Sequence, residues 1–255
     1  MSRSDSGSLR WANVSAFALM VLVNGLAGST TIIGGRNTAQ ISDANPTLIT
    51  PAGYVFSIWG VIYVLLGVFA VYQALPSQRG SQFQRRIGWI FVLSSIANMV
   101  WLFLWQSLLL VASTVLMFLL LSTLILIYLR LGVGKSKATI REKLAVHLPF
   151  SVYLGWITIA SIANVAVTLV SVGWAGFGIS QATWATLVVV VALLISILVL
   201  VTRRDLAYAL VIIWALVGIA TKQSGTPAIV TLTQAGAELV AVASAATLLI
   251  RLRRH

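Results

Sequence analysis

Long uncharged runs alternate along this chain with short basic segments. Twenty-five uncharged residues separate Arg10 from Arg36 and 43 separate Arg86 from Arg130, while the 59 between Lys143 and Arg203 hold no side chain that carries charge near neutral pH other than His147. A helix crosses a bilayer in about 20 residues, so these runs predict one, two and two spans. The paired spans 3 and 4 turn near Gln106–Leu109, and "SVGWAGFGISQ" links spans 5 and 6. Span 2 is expected over about Pro51–Leu75, span 7 over about Leu206–Thr221, and span 8 over about Thr226–Ile250, ahead of "RLRRH". The run from Trp11 to Gly35 is too long for the apolar core of a cleaved signal and is read as span 1. The pattern predicts an all-α integral membrane protein of about eight transmembrane helices.

Composition agrees: 59% of residues are hydrophobic, 9% are charged, and the mean hydropathy is +0.99. A soluble domain carries far more charge. The net charge of +12 would suit nucleic acid if it formed a patch, but the basic residues sit in the short loops. Eight crossings put fifteen of them on the side of the termini: Arg3, Arg10, Arg79, Arg85, Arg86, Arg130, Lys135, Lys137, Arg141, Lys143, Arg203, Arg204, Arg251, Arg253 and Arg254. Only Arg36 and Lys222 fall on the other. That asymmetry predicts cytoplasmic termini, and with helical spans it favours the inner membrane. The absence of cysteine excludes disulfides, iron–sulfur clusters and thiolate catalysis.

Aromatic residues refine the picture. Of nine tryptophans, Trp11, Trp89, Trp174 and Trp184 lie near span ends, where Trp gathers in any bilayer protein. Three other groups recur at helical spacing. Phe56, Trp59 and Tyr63 share a face of span 2, Asn98, Trp101 and Trp105 a face of span 3, and Trp156, Ala160, Ala163 and Asn164 a face of span 5. An amide at membrane depth needs a partner, so Asn98 and Asn164 are expected to face other helices. Two readings of the stripes stay open: ordinary bundle packing, or a cavity walled by rings and suited to a flat, mostly apolar ligand.

The same residues resemble the tryptophan-rich sensory protein / translocator protein (TspO/MBR) family. Its second helix opens with W-x-P-P-G-W-V-F-G-P-V-W-T-x-x-Y, and this chain reads Pro51-Ala52-Gly53-Tyr54-Val55-Phe56-Ser57-Ile58-Trp59-Gly60-Val61-Ile62-Tyr63. Asn98 and Trp101 match N-x-x-W of the third helix. Tyr153, Leu154, Trp156, Thr158, Ala160, Ser161 and Asn164 match P-Y-L-x-W-V-[ST]-x-A-[ST]-x-x-N of the fifth. Ala52, Tyr54 and Val152 depart from the pattern, and one residue is missing between Phe56 and Trp59. The likeness covers about residues 11–171 and implies a TspO-like five-helix bundle over 1–171, followed by a three-helix C-terminal extension over 172–255. It further implies a cavity lidded by residues 36–50 and a bound porphyrin or other tetrapyrrole; nothing in the sequence marks a catalytic group. By matching positions, Tyr54, Trp59, Asn98, Trp101, Trp156 and Ala160 are expected at the cavity wall.

Glu238 falls in the middle of span 8 on a face with Thr231, Gln234, Ala241 and Ala245. A charge there costs about 2.5–3.5 kcal/mol on insertion scales. The carboxylate is either an interhelical clamp or, with Gln234, a proton site in a transport path. His147 near a span end and His255 at the terminus leave haem without a second buried ligand. No lysine lies inside a span, and no metal cluster, phosphate loop or nucleophile triad appears. Three functions remain in play: a receptor for a flat hydrophobic ligand, a secondary transporter using Glu238, or a structural subunit of a larger membrane complex. The expected partners are lipid, a small hydrophobic ligand and a homo-oligomer or complex partner, with no nucleic acid.

Overall fold

The computed structural model describes residues 3–29, 35–36 and 38–253. Residues 30–34, at the end of the first expected span, and 37, in the expected lid, with Arg254 and His255, lie outside the described residues. Within them the protein is helical with no strand: α1 (Arg3–Ser29), α2 (Thr38–Ala44), α3 (Ile58–Ala74), α4 (Gln82–Ile87), α5 (Ile90–Gln106), α6 (Leu110–Leu131), α7 (Ile140–Glu142), α8 (Leu148–Ser171), α9 (Gln181–Arg203), α10 (Leu206–Lys222) and α11 (Pro227–Leu252). A 3₁₀ turn, Gly53–Ser57, leads into α3, and a π turn, Lys143–His147, joins α7 to α8.

Six helical segments are long and apolar enough to cross a membrane: Gly7–Gly28, Gly53–Ala74, Leu110–Leu131, Ile140–Ser171, Gln181–Arg203 and Pro227–Leu252. The other two expected spans are the shorter apolar helices Ile90–Gln106 and Leu206–Lys222, of 17 residues each. At 1.5 Å per residue each is about 25 Å long, short of the roughly 30 Å hydrocarbon core.

Five of the helices close into a ring. α1 packs on α5, α5 on α6, α6 on α8, α8 on α3 and α3 back on α1. α10 packs on the outer side of α8, and α9 and α11 pack on α10 and on each other. α8 is the centre of the molecule: 56% of its span is buried, more than in any other candidate span. One hydrophobic core runs from Met20 of α1 through Ile62, Phe91, Leu124 and Trp156 to Ile212 of α10 and Ala237 of α11. Gly155 makes the α8–α10 contact possible, since a Cβ there would meet the Tyr208 carbonyl and the Val211 Cβ, each at 3.2 Å.

The basic residues gather at one end, where several complete helix termini. The guanidinium of Arg10 donates to the Ala74 carbonyl at the end of α3 (3.4 Å), and that of Arg86 donates to the Leu131 carbonyl at the end of α6 (3.2 Å). Arg251 donates to the Arg204 carbonyl beyond α9. Cations there satisfy orphan carbonyls and oppose the negative end of the helix dipole. Asp205 caps α10, accepting from the Ala207 and Tyr208 amides and from the Tyr128 hydroxyl at 2.8 Å. The start of α1 and the end of α11 both lie at this end. At the opposite end, Lys222 pairs with Asp43 at 2.8 Å.

Candidate functional site

Inside the ring, beneath α2, the three aromatic stripes converge. The 3₁₀ turn carries Phe56 edge-on to Trp156 of α8 (5.8 Å between centroids, 83°). One turn on, Trp59 lies nearly parallel to Trp101 of α5 (5.9 Å, 27°) and edge-on to Trp156 (6.2 Å, 83°). Trp101 in turn stacks on Trp105 (6.1 Å, 30°). Such offset and edge-to-face pairs are the favoured aromatic geometries.

These rings surround a small hollow of about 30 Å³, the volume of roughly one water molecule. Of the ten residues marked by the sequence, Phe56, Trp59, Trp101, Trp105, Trp156, Ala160 and Asn164 line it. Thr38 and Ser42 of α2 cover it, within the segment expected as a lid, and Pro51, Ile159 and Ala163 complete the wall. Ile159 carries no signal in the sequence, because an aliphatic residue inside an apolar span looks like every other.

Tyr54, Tyr63 and Asn98 do not line the hollow. Tyr54 is 46% exposed and leans edge-on against Trp214 of α10 (5.3 Å, 80°). The 3₁₀ turn is the reason: three residues per turn rather than 3.6 rotate Tyr54 away from the face that Trp59 continues. Tyr63 stacks on Trp59 (5.7 Å, 22°), one turn further from the hollow. Asn98 is fully buried, accepting from the Asn24 amide of α1 (2.7 Å) and donating to the Tyr153 hydroxyl of α8 (3.1 Å). Asn164 donates to the Ser113 hydroxyl of α6 at 3.3 Å.

Three donors around the hollow are unspent. The indole N–H groups of Trp101, Trp105 and Trp156 are buried without a hydrogen-bond partner. A buried unpaired donor costs about 1–3 kcal/mol. Among the described residues no cation lines the hollow, so its wall offers stacking and apolar contact.

α10 fastens the cover. The Ala52 amide donates to the Gly218 carbonyl (3.0 Å), and the Trp214 indole donates to the Val55 carbonyl (3.1 Å). The Gln223 amide donates to the Thr47 carbonyl at 2.9 Å. Gly218 lies so close to the 3₁₀ turn that a Cβ there would stand 2.1 Å from Val55 Cγ2. Leu48 and Ile49 of the lid segment, with Ile162, Leu169, Trp174 and Trp184, flank a separate open groove of about 400 Å³ between α8 and α9.

Gln234 and Glu238 are far from this chemistry. Both are exposed on the outer face of α11, whose buried residues are Ile229, Thr233, Gly236, Ala237 and Val240. His147 is buried in the π turn at the basic end, its Nε2 3.9 Å from Glu142. Among the described residues, no three His, Cys, Asp or Glu side chains gather as metal ligands would.

A family model described as a TSPO-like protein matches residues 10–246 of the chain. No curated protein matches it, and no solved structure does.

Proposed function

The chain belongs to the TSPO-like protein family, and from that premise we propose that it is a membrane-embedded binding protein. Its ligand on this reading is a flat, largely apolar molecule with acceptor atoms at its edge, a description a tetrapyrrole meets. The observation that carries the reading is the trio of unpaired indole donors on an aromatic-walled hollow. Rings of Trp59, Trp101 and Trp156 supply stacking faces, and the N–H groups fix the ligand's orientation. No catalytic step belongs to it, and Glu238 takes no part. α1, α3, α5, α6, α8, α9, α10 and α11 make eight crossings, with the basic end in the cytoplasm.

The hollow is far smaller than the roughly 300–1,000 Å³ of a drug-sized ligand site. Occupancy therefore requires α2 and the 38–50 segment to lift, and the rings to part.

The test is titration of the purified protein with protoporphyrin, followed by quenching of tryptophan fluorescence. Saturable quenching is expected, weakened by Trp59→Ala and by Trp156→Ala. Saturable binding that neither substitution alters would sink the proposed site.

A further inference from the structure

α8 borders two separate spaces. Ile159, Ala160, Ala163 and Asn164 line the hollow inside the ring, while Ile162, Val165, Ala166 and Leu169 line the open groove shared with α9. At about 400 Å³ the groove dwarfs the hollow of about 30 Å³ and falls within the roughly 300–1,000 Å³ of ligand sites. On α8 it runs from Ile162 to Val170, about 12 Å at 1.5 Å per residue. That approaches the depth of one leaflet, about 15 Å of the roughly 30 Å hydrocarbon core. Among the described residues no charged side chain lines it, and its polar side chains, Thr47 and Gln181, belong to the end away from the basic loops. That end is firmly built. The Trp184 indole donates to the Gly176 carbonyl at 2.9 Å and packs on Trp174 at 5.1 Å. Glycine permits the approach, since a Cβ on Gly176 would lie 3.2 Å from the indole nitrogen. Beside it Phe177 is held in the left-handed region, at φ 54°, a costly conformation that persists where the surroundings impose it.

We propose that the groove seats one acyl chain of an uncharged or zwitterionic phospholipid from the leaflet opposite the basic end. Burial alone gives a chain no preference for the groove over bulk lipid, because both are hydrocarbon; fit and polar contact supply it. The groove is elongated along the helices, uncharged and aliphatic over its length, as an extended chain requires. Its polar residues stand where the ester carbonyls of such a lipid lie, and the Gln181 amide can donate to one of them. A flat ring is a poorer occupant. Trp174 and Trp184 are tilted at 56° and packed on each other, which closes the end of the groove instead of opening a parallel slot. A partner helix, about 10–12 Å across with its side chains, is too bulky for this volume. The seat does not depend on what fills the hollow.

The first test uses the wild-type protein in mild detergent, mixed one-to-one with a phosphatidylcholine that carries a photoreactive diazirine in its acyl chain. After irradiation, peptide mass spectrometry should find the adducts concentrated on residues 46–49, 162–170 and 179–188. Adducts spread evenly over the lipid-facing sides of α1, α3 and α11, or none at all, overturn the proposal. Displacement of the probe by protoporphyrin but not by unlabelled phosphatidylcholine also overturns it, giving the groove to a flat ring. The second test is native mass spectrometry of phosphatidylcholine binding. Ala166→Phe, which puts a ring in the groove, should weaken it by about 5- to 100-fold, the range for overpacking a filled site. Val64→Phe, on α3 where Val64 is 69% exposed, should leave it unchanged. Equal affinity in wild type and Ala166→Phe overturns the seat. The labelling needs no substitution, so it decides even where Ala166→Phe fails to fold.

Discussion

Asn98 joins three helices of the ring, since its partners Asn24 and Tyr153 come from α1 and α8. Removing it leaves the buried Tyr153 hydroxyl without its donor, while the Asn24 amide keeps the Met20 carbonyl (2.8 Å), and the hollow is untouched. Asn98→Ala should therefore lower stability in detergent by about 1–3 kcal/mol, read by thermal unfolding, while the folded fraction still binds ligand. Trp156→Phe makes the complementary case, keeping a ring but deleting one unpaired N–H. It should lower stability without ligand by about 1–3 kcal/mol, since the smaller ring leaves a void against Phe56 and Trp59, and weaken binding by about 2- to 10-fold, one hydrogen bond's worth. Unchanged affinity would show that the indole donor does not meet the ligand. Helical spacing was enough to mark Trp59, Trp101, Trp105, Trp156, Ala160 and Asn164, because a 3.6-residue period holds through α5, α8 and the start of α3. Tyr54 is put at the wall by the family motif alone; it precedes the α-helix, in a turn of a different period, and does not line the hollow. The partners of Asn98 lie 74 and 55 residues away in the chain, a pairing that no local pattern encodes.

Among the elements, α10 has the least obvious task. It is too short to look like a robust span, yet it supplies the carbonyl, indole and amide that hold the 3₁₀ turn and the lid. Gly218→Ala should force Val55 and the turn outward, with a cost of about 1–3 kcal/mol for overpacking. Phe56 moves with the turn, so weaker quenching by protoporphyrin is expected as well. Lys222→Ala removes an ion pair whose side chains are 39% and 44% exposed. Exposed pairs contribute about 0–1 kcal/mol, so its melting temperature should stay close to wild type. The contrast separates close packing from surface charge as the fastening of the lid. The sequence motif reads this stretch as the start of span 2 rather than as a 3₁₀ turn, and it is silent about α10, because the docking depends on an absent side chain.

The whole molecule combines a closed five-helix ring with an outer layer that shares its core. Tyr208, Ile212, Ala215 and Leu216 of α10 are buried in the same cluster as Trp156 and Phe150. A chain ended at Ser171 would expose that surface of α8. It should elute aggregated on gel filtration in a detergent that keeps the full chain monodisperse; a well-behaved fragment would show that the ring folds alone. Hydropathy and loop charge were sufficient for the order of the helices and the clustering of basic residues, both set by the cost of moving charge through hydrocarbon. They could not say which way α11 faces. Its buried residues, Thr233, Gly236 and Ala237 among them, are as small and polar as its exposed ones, so the amphipathic contrast that orients a helix is missing.

The smallness of the ring's hollow has a kinetic meaning. A ligand cannot collide its way into space for one water, so entry waits for the cover to lift. The observed association rate should then level off as ligand concentration rises, at a ceiling set by the opening rate rather than by diffusion. Apparent affinity should scale with the fraction of molecules already open, so substitutions that loosen α10 from the lid could speed capture even as they weaken the fold.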